Sequence, residues 1–125
     1  MSFLKAIKTR EDLEQEAKKG LVSKIAARRW QAETSGININ GLTVETDDRS
    51  KLLINGAALE ATIDPEYVMQ WKTSNGFVEL TGGQVIGVAR AVRAHVQACF
   101  DREAELLAEL EAGRLTDDML EQGWP

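Results

Sequence analysis

Two stretches constrain the fold more than anything else in this chain. Residues 36–50 read G-I-N-I-N-G-L-T-V-E-T-D-D-R-S, and residues 71–80 read W-K-T-S-N-G-F-V-E-L. Each sets an Asn-Gly pair among alternating apolar and polar residues, the strongest short-range signal for a β-hairpin. A type I′ turn needs positive φ at both central residues, which Asn and Gly tolerate best. Chain reversals are therefore expected at Asn40-Gly41 and at Asn75-Gly76. The first hairpin pairs Ile37–Ile39 with residues 42–46, and Ile37, Ile39, Leu42 and Val44 are its core candidates. The second pairs Val68–Thr73 with residues 77–80, and alternation puts Met69 and Trp71 on one face and Lys72 on the other. A lone hairpin is marginal in water, so the two are expected to join in one antiparallel sheet covered by helices.

Helical signals surround the hairpins. Thr9 with Asp12 reads as a capping box, and Glu11, Asp12 and Glu14 favour the positive end of the helix dipole. A helix over residues 10–34 follows. Gly20 is a weak point within it, at a cost of ~1 kcal/mol relative to Ala. Trp30 extends its apolar stripe toward the core, and Gly36 is placed to end it in a left-handed conformation. Thr46 or Asp47 caps a second helix over residues 48–62, with Leu52, Leu53, Ala57, Leu59 and Ile63 forming an imperfect stripe. Asn55-Gly56 reads as a weak spot in that helix rather than a third turn. Asp64-Pro65 stops it. Thr81 opens the longest element, residues 82–112, where Val85, Val88, Val92, Val96, Cys99, Leu106 and Leu110 recur at steps of three and four and Glu103 interrupts. Gly113 ends it, and residues 116–121 form one more short turn. The expectation is a single α+β domain over residues 1–125, in the order α-β-β-α-β-β-α.

The 125 residues carry a net charge of −5, are 43% hydrophobic and 28% charged, and contain one cysteine. That balance suits a globular domain with one modest core. The acidity argues against a nucleic-acid partner, for which a basic face is usual, and leaves a basic protein partner open. No apolar run approaches the ~18 residues that signal a membrane span. Residues 1–10 lack the apolar core of a signal peptide, and Cys99 has no internal partner, so synthesis in the cytoplasm is expected.

Few residues invite chemistry. Asp47-Asp48 at a helix start reads as a cap, since a cation site needs more oxygens from spaced positions. Arg49 is expected to pair with Glu33 or Glu45. His95 and Cys99, four residues apart, share a helix face, but no other His or Cys completes a zinc set, and a helix interior is a poor platform for a nucleophile. Both read as packing residues, with no catalytic, metal or cofactor site expected. Gly82-Gly83 before a helix lacks both phosphate-loop patterns. Arg28-Arg29-Trp30 forms a basic-aromatic cluster, read as a helix surface with Trp30 tucked inward.

The end of the long helix leaves two readings open. Eight turns span ~45 Å, so the end either projects from a domain this small or is covered by Met119, Leu120 and Trp124 folding back. A projecting end makes Leu106, Leu107, Leu110 and Trp124 candidate partner-binding residues, with Arg28 and Arg29 beside them.

The segments R-W-x-A-E-T-S-G-I, N-G-L-T-V-E-T-D-D-R-S, W-K-T-S-N-G-F-V-E-L-T and V-R-A-H-V-Q-A-C-F-D-R-E-A, with the terminal G-W-P and the opening I-K-T-R-E-D-L, resemble a bacteriophage family common beside tail-fibre genes. The resemblance implies a non-enzymatic protein that binds tail-fibre or baseplate proteins. It would act as a small virion component or as a fibre-assembly factor, located in the virion tail or in the host cytoplasm during assembly. It leaves a homo-oligomer open and brings no catalytic residue with it. The alternative is an acidic host-directed inhibitor that binds a basic host partner.

Overall fold

A computed structural model describes residues 8–125. The reading of the chain start, so far as it concerns residues 1–7, lies outside them. The order is α1 (Arg10–Glu33), β1 (Ile37–Ile39), β2 (Leu42–Val44), α2 (Asp48–Ile63), β3 (Val68–Thr73), β4 (Gly76–Thr81) and α3 (Gly82–Glu111), closed by a short 3₁₀ turn at Asp117–Glu121. The chain is α+β in the expected order.

Both long helices start with reciprocal caps. The Asp12 N–H donates to Thr9 Oγ1 at 3.1 Å while the Thr9 N–H donates to the Asp12 carboxylate at 3.1 Å. Thr81 and Gln84 make the same exchange at the head of α3. Gly20 does not interrupt α1, and a Cβ added there meets nothing within 4 Å. Gly20→Ala should therefore stabilise the protein by about 1 kcal/mol. A thermal melt checks this, and an unchanged or lowered Tm counts against a continuous α1.

The hairpins differ. Asn40 (φ 51°) and Gly41 (φ 87°) both take positive φ, as a type I′ turn requires. In the second hairpin Thr73 faces Gly76 across the ladder, so Ser74 and Asn75 form the loop. Only Gly76 has positive φ there (109°), which corrects the expected turn at Asn75-Gly76. Thr73 is the cause. Its hydroxyl donates to the Gly76 carbonyl at 2.7 Å and accepts from the Asn75 N–H at 3.2 Å, closing the loop one residue early.

The strands form two separate two-stranded sheets rather than one sheet. Side-chain packing joins them instead of a ladder. Trp71, from β3, packs with Ile37, Ile39 and Leu42 of the first hairpin on a buried cluster of Val44, Ile54, Val88 and Val92. Partly burying the indole against this shared cluster removes apolar area from water that a lone ribbon would leave exposed.

α3 is the spine. α2 lies antiparallel on its first half, with Ala61 close against Gly82 and Ile54 against Val88 and Val92. α1 lies antiparallel on its second half, since Ala32 meets His95, Arg29 meets Glu103 and Lys18 meets Glu111. Ile25 and Ala32, two turns apart, occupy the buried side of α1. Trp30 therefore falls outside that side and is 46% exposed, contrary to the expected inward packing. Its ring lies 5.8 Å from the Lys51 ammonium.

α3 ends at Gly113 (φ 71°), where the Arg114 N–H donates to the Glu109 carbonyl and the Gly113 N–H to Leu110, the bonds of a Schellman cap. The remaining chain folds back. The Arg102 guanidinium donates to the carbonyls of Gln122 (2.8 Å) and Met119 (3.1 Å), and the Trp124 indole N–H donates to Leu120 O. Leu106 is fully buried and Leu107 and Leu110 half-buried, so the projecting end is ruled out in favour of the fold-back.

Candidate functional site

The sequence-predicted partner residues are largely occupied within the chain. Arg28 pairs with Glu121 at 2.9 Å and stacks 5.3 Å from the centroid of Trp124. Arg29 lies over Phe100 and pairs with Glu103 and Glu33. Leu106, with no exposed surface, cannot touch a partner of the folded chain.

Arg29 belongs to a network at the junction of α1, α2 and α3. Glu33, only 4% exposed, accepts from Arg29 at 2.9 Å and from the Lys51 ammonium, which also reaches Asp48 at 3.3 Å. Burial works to raise the Glu33 pKa, but the hydrogen bonds and charges of Lys51 and Arg29 outweigh it and hold the carboxyl below its ordinary value. Burial likewise works to lower the pKa of Lys51, and Glu33 and Asp48 reverse it. Just beyond, the Thr46 hydroxyl donates to the Glu33 carbonyl at 2.6 Å and accepts from the Gly36 N–H at 2.9 Å. Arg49, expected to pair with Glu33 or Glu45, is exposed and pairs with neither; Lys51, two residues further along α2, takes Glu33 instead. Asp47 occupies the N-cap position by its backbone but makes no side-chain cap bond.

His95 and Cys99 are brought together, with Sγ 3.9 Å from Nε2, while Nε2 lies 2.9 Å from the Ala32 carbonyl. Cys99 is fully buried, and burial pushes its thiol pKa up, away from the thiolate that nucleophilic attack or metal binding needs. Among the described residues, no group of three or more His, Cys, Asp or Glu side chains is placed to hold a metal ion. Nor is any helix among them long and apolar enough to cross a membrane.

Two largely apolar depressions flank α2 instead. An open groove of about 770 Å³ runs between α2 and the inner face of β3. Met69, Trp71 and Tyr67 line one side and Leu52, Leu53 and Ala57 the other, with Glu45 and Lys72 among its charged residues. Leu52 is 72% exposed and Leu53 58%. On the other flank of α2, a shallower depression of about 540 Å³ is bounded by Leu59, Ile86, Arg90 and Arg93. Sequence reasoning missed these leucines as a surface, although their signal was present. α2 carries Leu52, Leu53, Ile54, Leu59 and Ile63 around its circumference, more directions than a helix covered on one side can bury.

No curated protein and no solved structure matches the chain. Residues 16–121 match the model of a family described as a domain of unknown function, DUF4376. With most of its length inside that match, the chain belongs to the DUF4376 family.

Proposed function

We propose that the chain is a non-enzymatic phage tail protein that docks on a tail-fibre or baseplate protein through the groove between α2 and β3. The observation that carries the docking mode is the exposure of Leu52 and Leu53 beside the indole of Trp71, a set of anchors of the kind that dominates protein interfaces. The resemblance of the two Asn-Gly segments to tail-fibre-region proteins supports the choice of partner. The occupant is a segment with an apolar stripe, carrying a base to meet Glu45 and an acid to meet Lys72. The buried, protonated thiol of Cys99 supports a role outside catalysis. The inhibitor reading has less support, because Glu33, Glu103, Glu109, Glu111 and Glu121 are spent on internal ion pairs rather than set in a free acidic row.

Co-expression with the fibre and baseplate proteins of the same phage should yield a stable complex. Leu53→Lys should weaken it at least about tenfold with little change in Tm, since the side chain is an exposed anchor. Failure of every such protein to bind, or a complex indifferent to Leu53→Lys, would sink this reading. Presence of the chain in purified virions separates a fixed subunit from an assembly factor.

A further inference from the structure

We infer that the outer side of α2 is a self-association surface, on which a second copy of this chain pairs its own α2 antiparallel across a two-fold axis. The surface shares Leu52 and Gly56 with the rim of the groove, whereas Leu59 and Ile63 lie outside it, so variants at Leu59 test self-association apart from the groove's partner.

α2 buries Ile54 and Ala61 on the side facing α3. Leu52, Gly56, Leu59 and Ile63 run along the opposite side, at steps of four, three and four. That is the spacing of a helix-pairing seam. The three large members are 72%, 63% and 69% exposed, so the seam is open along its whole length. Gly56 lies in its middle, and a Cβ there would meet nothing within 4 Å. Glycine disfavours a helix interior, and inside one copy nothing crowds the position. Its missing side chain leaves a notch on a ridge of leucines, open to a neighbour.

The pattern is complementary to itself in one orientation. Antiparallel pairing sets Leu59 of each copy into the notch at Gly56 of the other and Leu52 against Ile63, matching large to small and large to large. Glu66 lies in the turn just past the end of α2 and Arg49 in its first turn, so antiparallel pairing brings the Arg49 end of each copy to the Glu66 end of the other. Both side chains are exposed, and neither forms an ion pair among the described residues. The turn that carries Glu66 is fixed by its N–H donating to Asp64 Oδ1 at 3.0 Å. Parallel pairing would instead oppose Arg49 to Arg49 and align the helix dipoles unfavourably. The charges thus select a closed two-fold pair over an open chain of copies.

Sedimentation of the full chain over a concentration series tests this. A monomer–dimer equilibrium is expected. Leu59→Lys should weaken it by about 100-fold or more, as removal of a central anchor does. Gly56→Leu should also weaken the dimer while leaving the monomer's Tm unchanged or raised, which separates a filled notch from a damaged fold. Arg49→Glu should weaken association by about fivefold, the scale of two exposed ion pairs, and adding Glu66→Arg should restore it. A chain that stays monomeric at high micromolar concentration overturns the inference. So does a dimer indifferent to Leu59→Lys, or a charge reversal that the reciprocal change does not rescue.

Discussion

Glu33→Gln should cost about 3 kcal/mol of stability at neutral pH, at the lower end for removing one partner from a buried ion network. Glu33 carries the heaviest share of that network because it serves two cations on different helices, Arg29 of α1 and Lys51 of α2. The variant leaves each cation with one other acid, Glu103 and Asp48, which limits the loss. A drop in Tm on the order of 10 °C follows for a domain of this size. The pH dependence supplies a sign. The folded pKa of Glu33 lies below its ordinary value, so its contribution is fully present above that ordinary value. It fades as pH falls through the depressed folded one. Wild type and variant should therefore differ by a constant amount around neutrality and converge in acid. Lys51 is shifted the other way; its contribution is present below the ordinary lysine value and is lost only as pH rises through the raised one. Chemical denaturation of both proteins at several pH values reads this directly. A loss under about 1 kcal/mol, the scale of a surface pair, would contradict the network's structural role.

Leu106→Ala should cost 2–5 kcal/mol, the range for emptying a buried leucine site. The side chain has no exposed surface. The comparison is Leu52→Ala, which should shift stability by about 0.5 kcal/mol or less because Leu52 is mostly in water. The pair separates two meanings of a leucine on an amphipathic helix. Any loss of partner binding by Leu106→Ala should track the unfolded fraction and disappear at low temperature, where the variant is folded. A variant that keeps the wild-type Tm and still fails to bind would return Leu106 to the surface.

Much of the scaffold was legible because it is local. Thr9 with Asp12, Gly36, Asn40-Gly41 and Gly113 each act through backbone conformation within a few residues, and each sits where its chemistry required. The burial of Val85, Val88, Val92, Cys99 and Leu106 was legible as periodicity along α3. The choices that failed were between distant alternatives. Trp30 and Trp71 are equally hydrophobic, and only the tertiary arrangement decides which one enters the core. Whether the two ribbons join is decided by the tertiary arrangement, which no hairpin signal encodes. The fold-back of the C-terminal segment rests on Arg102 finding two carbonyls some twenty residues away, a contact without a sequence pattern. The candidate surface was half legible: the surplus of apolar residues on α2 was visible, but their exposure was not.

The distribution of glycine along α3 has a mechanical consequence. Gly82, Gly83 and Gly87 lie in its first two turns, and no glycine or proline follows until Gly113. The remaining turns are a stiff rod, braced along their length by α1. A load applied at the groove end would meet its compliance there, in the glycine-bearing turns beside α2. The far end, tied by Arg102 to the returned C-terminal segment, would move as a rigid arm about 36 Å long, the rise of the helix beyond its glycines.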